Sequence, residues 1–369
     1  MDFSHILKVI YPCLVILYLI DGIVYIRKYH LLFVSLIGNR FQLKDSGLHI
    51  IGFFPFSQVF LSHNLPFRLT DDGVYLSSNQ NEPASIPLIN TDYDYITYQD
   101  IEKVRADERV LKINDKLVRM HSAKYAQYMR DLIDKLKSLS RAQRQQTILV
   151  FSSEVTDIEE IRVRRYIYYT SIRWLKIFVP ILSFYFFLVL PLVLYSDIGV
   201  YFDLYRLLLP MLITYFCVLI CEFVAHKKIY GGDTLARINI LIRMLLSPVS
   251  SLHAVNILSR DLFWRFDYIA LGAELLSTAT FTKLVKRELW LADYLAVKAD
   301  DDGLVDWWKL RKKYLISLVT EKGISQEDVL GSPTKEDESA TRYCPLCASG
   351  YRSGFIVCSD CGVDLEDFK

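Results

Sequence analysis

Residues 177–195 read IFVPILSFYFFLVLPLVLY, nineteen positions without a charged side chain. Two further stretches are nearly as apolar: residues 207–225 contain one acid, Glu222, and residues 9–26 contain one, Asp21. A helix rises about 1.5 Å per residue, so each stretch nearly crosses a hydrocarbon core about 30 Å thick. We therefore predict three membrane-spanning helices. Basic residues and no cleavage motif follow the first span, which indicates an uncleaved anchor.

The composition of the whole chain agrees with this interpretation. The 369 residues are 52% hydrophobic, with a mean hydropathy of +0.22 and a formal net charge of +1. Disorder driven by high net charge is excluded, and a globally basic nucleic-acid binder is disfavoured. We expect a lipid bilayer as a partner and no specific nucleic acid.

The charges that flank the predicted spans predict their orientation. Lys and Arg follow the first and third spans and precede the second, whereas the link 196–204 contains two Asp and neither Lys nor Arg. Basic residues favour the cytoplasmic side of a membrane. We therefore place the N-terminus and the link outside, and residues 27–176 and 226–369 in the cytoplasm. The expected location is the cytoplasmic (inner) membrane, with several passes.

Four cysteines near the C-terminus form two CxxC pairs, Cys344 with Cys347 and Cys358 with Cys361, separated by ten residues. Four thiolates at this spacing bind Zn²⁺ tetrahedrally, and a site filled by four protein ligands is structural. The sequence therefore predicts one structural zinc ion per chain. A redox-active dithiol pair is the competing interpretation.

The run CPLCASGYRSGFIVCSDCGVDL, residues 344–365, carries a resemblance to a known module. It resembles the small C-terminal zinc ribbons of many bacterial proteins, with the pattern CPxCGxxYxxGFxxCxDCGxxL. The departure is Ala348, where the pattern has Gly. The resemblance implies a bound metal and a structural or protein-binding role.

Residues 67–145 combine strand and turn signals with one amphipathic helix. The stretch FRLTDDGVYL alternates around Asp-Asp-Gly, and Asn114-Asp115 separates two β-rich runs, so both positions predict hairpin turns. A helix is predicted over residues 123–145, with an apolar face at Tyr125, Met129, Leu132, Ile133 and Leu136. Strands closed by one helix resemble the bacterial pleckstrin-homology-like (PH-like) fold.

The predicted fold class is thus an α+β, multi-domain integral membrane protein. Its predicted parts are the first transmembrane helix (1–28), a β-rich or interfacial segment (29–66), the PH-like domain (67–145), a basic connector (146–176), the second and third transmembrane helices (177–195 and 207–225), a helical membrane-proximal unit (229–320), a flexible linker (321–342) and the zinc ribbon (343–369).

A search for catalytic motifs finds none complete: HExxH, GxxxxGK[ST], GxGxxG and GxSxG do not occur. Residues 252–262 with 287–293 resemble the helix pair of integral-membrane zinc peptidases. However, Ala254 replaces the general base, Ile257 replaces the second His, and Glu288 is one residue out of register. The resemblance implies an inactive relative.

The leading hypothesis is a non-enzymatic membrane scaffold or regulatory protein that recruits a cytoplasmic protein through the ribbon. One alternative is a diverged or inactive relative of the membrane zinc peptidases. Another is a small channel or transporter subunit that uses Asp21 and Glu222, because acids within a span are candidate functional groups. A homo-oligomer is compatible with each hypothesis.

The predicted orientation has a direct test. A reporter active only outside the cytoplasm should be active when fused after Gly199 and inactive when fused at Asn114 or after Lys369, because Lys and Arg flank the spans on one side only. Enzymatic activity of the three fusions in cells is the measurement. The opposite result at any one position would overturn the orientation.

Overall fold

The computed structural model describes residues 3–27, 31–35, 41–42, 58–62, 67–77, 93–107, 110–120, 123–196, 204–246, 248–299, 301–333, 335, 337–346, 348–359 and 362–368. The helices are α1 (Phe3–Arg27), α2 (Ala123–Ser138), α3 (Arg141–Val155), α4 (Ile158–Phe184), α5 (Leu190–Tyr195), α6 (Leu204–Tyr230), α7 (Thr234–Leu246), α8 (Ala254–Phe263), α9 (Tyr268–Leu275), α10 (Thr278–Lys298), α11 (Asp302–Glu321) and α12 (Gln326–Leu330). A π-helical segment, Tyr185–Val189, joins α4 to α5, and a 3-10 segment, Pro248–His253, leads into α8.

Four small antiparallel sheets accompany these helices in the described part of the chain. The strands are β1 (Leu31–Ser35), β2 (Phe41–Gln42), β3 (Gln58–Ser62), β4 (Phe67–Leu69), β5 (Gly73–Ser77), β6 (Tyr93–Thr97), β7 (Val104–Asp107), β8 (Val110–Ile113), β9 (Lys116–Arg119), β10 (Arg342–Tyr343), β11 (Gly350–Tyr351) and β12 (Glu366–Asp367). Their orders are β2-β1-β3, β4-β5-β6, β7-β8-β9 and β11-β10-β12.

The chain forms two compact units that interleave along the sequence. One unit contains Met1–His63 and Ile158–Arg265, and the other contains Asn64–Asp157 and Phe266–Lys369. The predicted helical unit 229–320 is therefore divided between the two, because α7 and α8 belong to the first and α9 to α11 to the second.

Two helical stretches among the described residues are long and apolar enough to cross a membrane. They are Arg141–Tyr195, which includes the predicted span 177–195, and Leu208–Tyr230, which includes most of the predicted span 207–225. The span predicted over residues 9–26 lies in α1. Its described apolar part, His5–Ile20, is shorter than a spanning helix.

The β-rich part of the second unit follows the predicted hairpins. Leu69 pairs with Val74 across the Asp-Asp turn, and β8 pairs with β9 across Asn114 and Asp115. Asn114 has a positive φ of 52°, and its side chain donates to the Asp100 carbonyl at 2.8 Å. Both turns are therefore where the sequence predicts them.

Helix α2 covers β7 and β8 with the predicted apolar face. Met129, Ile133 and Leu136 are completely buried, and Tyr125 and Leu132 are nearly so. The helix predicted over 123–145 is shorter, however. It ends at Ser138, because Ser140 has an extended backbone and forms a capping box with Gln143 that begins α3.

The segment predicted as a flexible linker, 321–342, contains local structure. Ser325 caps α12 by accepting a hydrogen bond from the Glu327 amide at 3.2 Å. Val329 and Ala340 are buried, and α12 contacts α10. Part of the predicted linker is therefore folded, at α12 and around Ala340.

Candidate functional site

The first cysteine pair begins a tight turn closed by two backbone hydrogen bonds. The Cys344 amide donates to the Ser349 carbonyl at 2.9 Å, and the Ala348 amide donates to the Cys344 carbonyl at 2.8 Å. These two bonds fold the chain back on itself immediately after Cys344.

The second cysteine pair begins a turn with the same pattern. The Cys358 amide donates to the Val363 carbonyl at 2.8 Å, and the Gly362 amide donates to the Cys358 carbonyl at 2.9 Å. In both turns the bonded residues lie five and four positions apart. The turns that begin at Cys344 and Cys358 therefore have the same hydrogen-bond pattern, as expected for the two halves of one metal site.

Each turn ends with a residue in the left-handed region of backbone space. Gly362 has a φ of 67° and Ala348 has a φ of 60°. Glycine adopts this conformation without steric cost, whereas alanine pays about 1 kcal/mol because its Cβ approaches the backbone. The departure of Ala348 from the ribbon pattern therefore falls at a position where the geometry favours glycine.

Cys344 and Cys358 belong to a very small hydrophobic core. Cys344 and Cys358 are buried together with Leu346 and Val363, and Trp290 of α10 packs against this cluster. Cys347 and Cys361 lie outside the described residues. The residues that are described contain no group of three His, Cys, Asp or Glu placed to hold a metal ion, so the predicted four-cysteine ligand set stays a prediction.

Tyr351 supports one of the cysteines directly. Its hydroxyl lies 3.1 Å from Cys358 Sγ, and it accepts a hydrogen bond from the Ser359 amide at 3.3 Å. The contact with Cys358 raises the pKa of the Tyr351 hydroxyl, so that hydroxyl stays protonated and can donate to a thiolate. Partners of this kind orient metal ligands and tune their basicity.

The C-terminal sheet, formed by β10, β11 and β12, is bonded to α10. Glu366 of β12 accepts a hydrogen bond from Trp290 Nε1 at 2.8 Å and another from the Tyr343 hydroxyl at 2.7 Å. The segment predicted to be a ribbon is therefore held against a helix of its own unit.

The residues that carry the peptidase resemblance do not form a described metal site. His253 is buried beside Tyr18, with ring centroids 4.6 Å apart, whereas Glu288 belongs to the other unit. Glu288 is nearly buried next to Tyr268. Burial, followed by the charge of Glu288, raises the pKa of the Tyr268 hydroxyl well above its usual value.

The acid that the sequence singled out in the third span has a partner that the sequence did not suggest. Glu222 is fully buried, and its carboxylate lies 3.2 Å from the imidazole of His226 on the same helix. The i, i+4 spacing of Glu222 and His226 is the sequence signal for this contact, because residues four apart share a helix face. Asp21 lies in α1, where its side chain is outside the described part.

Comparison of the chain with protein-family models, with curated proteins and with solved structures found no match.

The two turns predict opposite effects of exchanging alanine and glycine. Ala348→Gly should strengthen zinc binding by about 1 kcal/mol, because glycine adopts a positive φ without strain. Gly362→Ala should weaken zinc binding by about 1 kcal/mol for the same reason. Space around Gly362 is open, so the alanine there adds strain without a clash. Chelator competition on the full-length protein measures both values. Changes of the same sign would contradict the assignment of equivalent turns.

Proposed function

We propose that this chain is a non-enzymatic membrane scaffold or regulatory protein that recruits a cytoplasmic protein through a C-terminal zinc ribbon. The observation that carries the proposal is the equivalence of the two cysteine turns, with Cys344 and Cys358 facing one small buried core. Cys347 and Cys361 complete the proposed ligand set.

The chemistry of four thiolates supports a structural role for the metal. Such a set fills the tetrahedral coordination of Zn²⁺ and leaves no position for water or substrate. The module has few apolar residues of its own, so the metal would supply much of its folding free energy, on the order of 10 kcal/mol.

Exposed apolar surface on the long helices supports the membrane part of the proposal. Only 33% and 28% of the most apolar windows of the two candidate spans are buried within the protein. Ile213 and Ile220 of α6 and Phe184 of α4 are each more than half exposed. Contact with lipid would bury these side chains, whereas contact with water would leave a large apolar surface unfavourably exposed. We propose three spans, with the orientation that the flanking charges predict.

The outer edge of the ribbon offers a surface for a partner. Phe355, Ile356 and Val357 are consecutive and are 55%, 67% and 47% exposed. Gly354, with a φ of 106°, turns the chain into this stretch. Adjacent exposed apolar side chains on a small rigid module are typical of protein-binding sites.

Zinc content tests the metal. Purified full-length protein should carry about one zinc ion per chain, and Cys344→Ser or Cys361→Ser should lose it, because three ligands no longer close the site. Cys13→Ser replaces an exposed cysteine of α1 and should keep the zinc. Elemental analysis of freshly purified, reduced protein is the measurement. Wild-type protein without zinc would refute the ribbon.

Partner binding tests the recruiting surface separately. Phe355→Asp should lose a protein that is crosslinked to the wild type in cells, while keeping its zinc, because the side chain lies on the exposed edge of the ribbon. Leu330→Asp, at an equally exposed leucine of α12, is the matched control and should keep the partner. Quantitative mass spectrometry of the crosslinked material gives the readout. A partner retained by both Phe355→Asp and Cys361→Ser would contradict recruitment by the ribbon.

A further inference from the structure

A cluster of ionisable groups joins α6 to α8 in the first unit. Glu222 and His226 lie on α6, Asp261 lies on α8, and their exposed fractions are 0%, 0% and 1%. His226 Nε2 is 3.1 Å from Asp261 Oδ2, and His226 Nδ1 is 3.2 Å from Glu222 Oε2. The imidazole therefore lies between two carboxylates in a fully buried site.

The hydrogen-bond partners of His226 show which of its ring nitrogens carry a hydrogen. Nδ1 is 2.8 Å from the Glu222 backbone carbonyl, which can only accept, so Nδ1 must carry a hydrogen. Nε2 and Asp261 Oδ2 then face each other with one proton between them. The pair is either an imidazolium with a carboxylate or a neutral imidazole with a carboxylic acid. Both descriptions contain the same shared proton.

We propose that the proton shared by His226 and Asp261 makes the α6–α8 contact a proton-binding site, and that its loss at alkaline pH releases α8 from α6. Without the proton, the lone pair of Nε2 and the negative charge of Asp261 would face each other at 3.1 Å. In a buried site, where water cannot solvate either group, this arrangement is strongly unfavourable. Removal of the proton therefore turns the attraction between the two groups into repulsion and favours their separation.

The cluster lies near one end of the candidate span. His226 is four residues from Tyr230, the last residue of α6, which corresponds to about 6 Å along the helix axis. The polar turn Gly231–Asp233 follows. The ring of Tyr230 stacks on that of His226 with centroids 5.7 Å apart. A proton thus has only a short distance to travel between the cluster and water at this end.

Other charged groups surround the cluster from the packed elements. From α4, Arg164 donates to the carbonyl of Leu262, next to Asp261, at 2.8 Å. From α7, the Arg237 guanidinium lies 4.3 Å from the Phe223 ring, and the 3-10 segment contributes the buried His253. The π-helical segment, with the sequence YFFLV, contributes no acid or base other than Tyr185. None of the described contacts of these groups donates a proton to the space between His226 and Asp261.

Hydrogen exchange of α8 at different pH values tests the proposal. The full-length protein in lipid nanodiscs is followed by mass spectrometry from about pH 6 to about pH 10, with rates corrected for intrinsic exchange. The backbone amides of α8 in the wild type should exchange at least about tenfold faster at about pH 10 than at about pH 6. In His226→Gln the amide donates to Asp261 without titrating, so exchange should not depend on pH. His5→Gln, at an exposed histidine of α1, is the matched control and should behave as wild type.

A second variant keeps the test decisive if His226→Gln does not fold. Asp261→Asn also replaces the shared proton by an amide hydrogen, here donated to Nε2, and should give the same loss of pH dependence. Wild-type protection of α8 that does not change with pH would overturn the proposal, whatever the variants do. A pH profile in either folded variant equal to that of wild type would overturn it as well.

Discussion

The packing of α4 against α6 is the contact on which the first unit depends. The two helices contact each other, and their buried residues include Ile172, Leu175, Val179, Leu182, Val218, Leu219 and Ala225. The opposite sides stay apolar and exposed. Inside a bilayer every backbone polar group must be bonded within the protein, and helices satisfy this requirement by themselves. The same pairing explains why an acid such as Glu222 has to lie on the inner side, beside His226.

Local chemistry explains what could be predicted from the sequence. The Asp-Asp-Gly and Asn-Asp turns and the apolar face of α2 all depend on residues within a few positions of one another. Apolar length alone identified the two helices of spanning length. Between residues this close in the sequence, side-chain spacing and backbone sterics allow few conformations.

Contacts between distant residues could not be predicted. Asp261 meets His226 from 35 positions away, and Trp290 meets Glu366 from 76 positions away. The division of residues 229–320 at Arg265 has the same origin, because Asp267 caps α9 and pairs with Arg311 of α11 at 3.0 Å. No local pattern marks such pairs. The shortened α2 is different, since Ser140 with Gln143 was a visible capping signal within an otherwise helical pattern.

We propose that four cysteines near the C-terminus hold one zinc ion. X-ray absorption at the zinc edge of the purified full-length protein tests it most directly, because the spectrum reports the number and type of atoms bound to the metal. Four sulfur neighbours at about 2.3 Å are predicted. A first shell with nitrogen or oxygen in place of any sulfur would contradict the proposed site formed by Cys344, Cys347, Cys358 and Cys361.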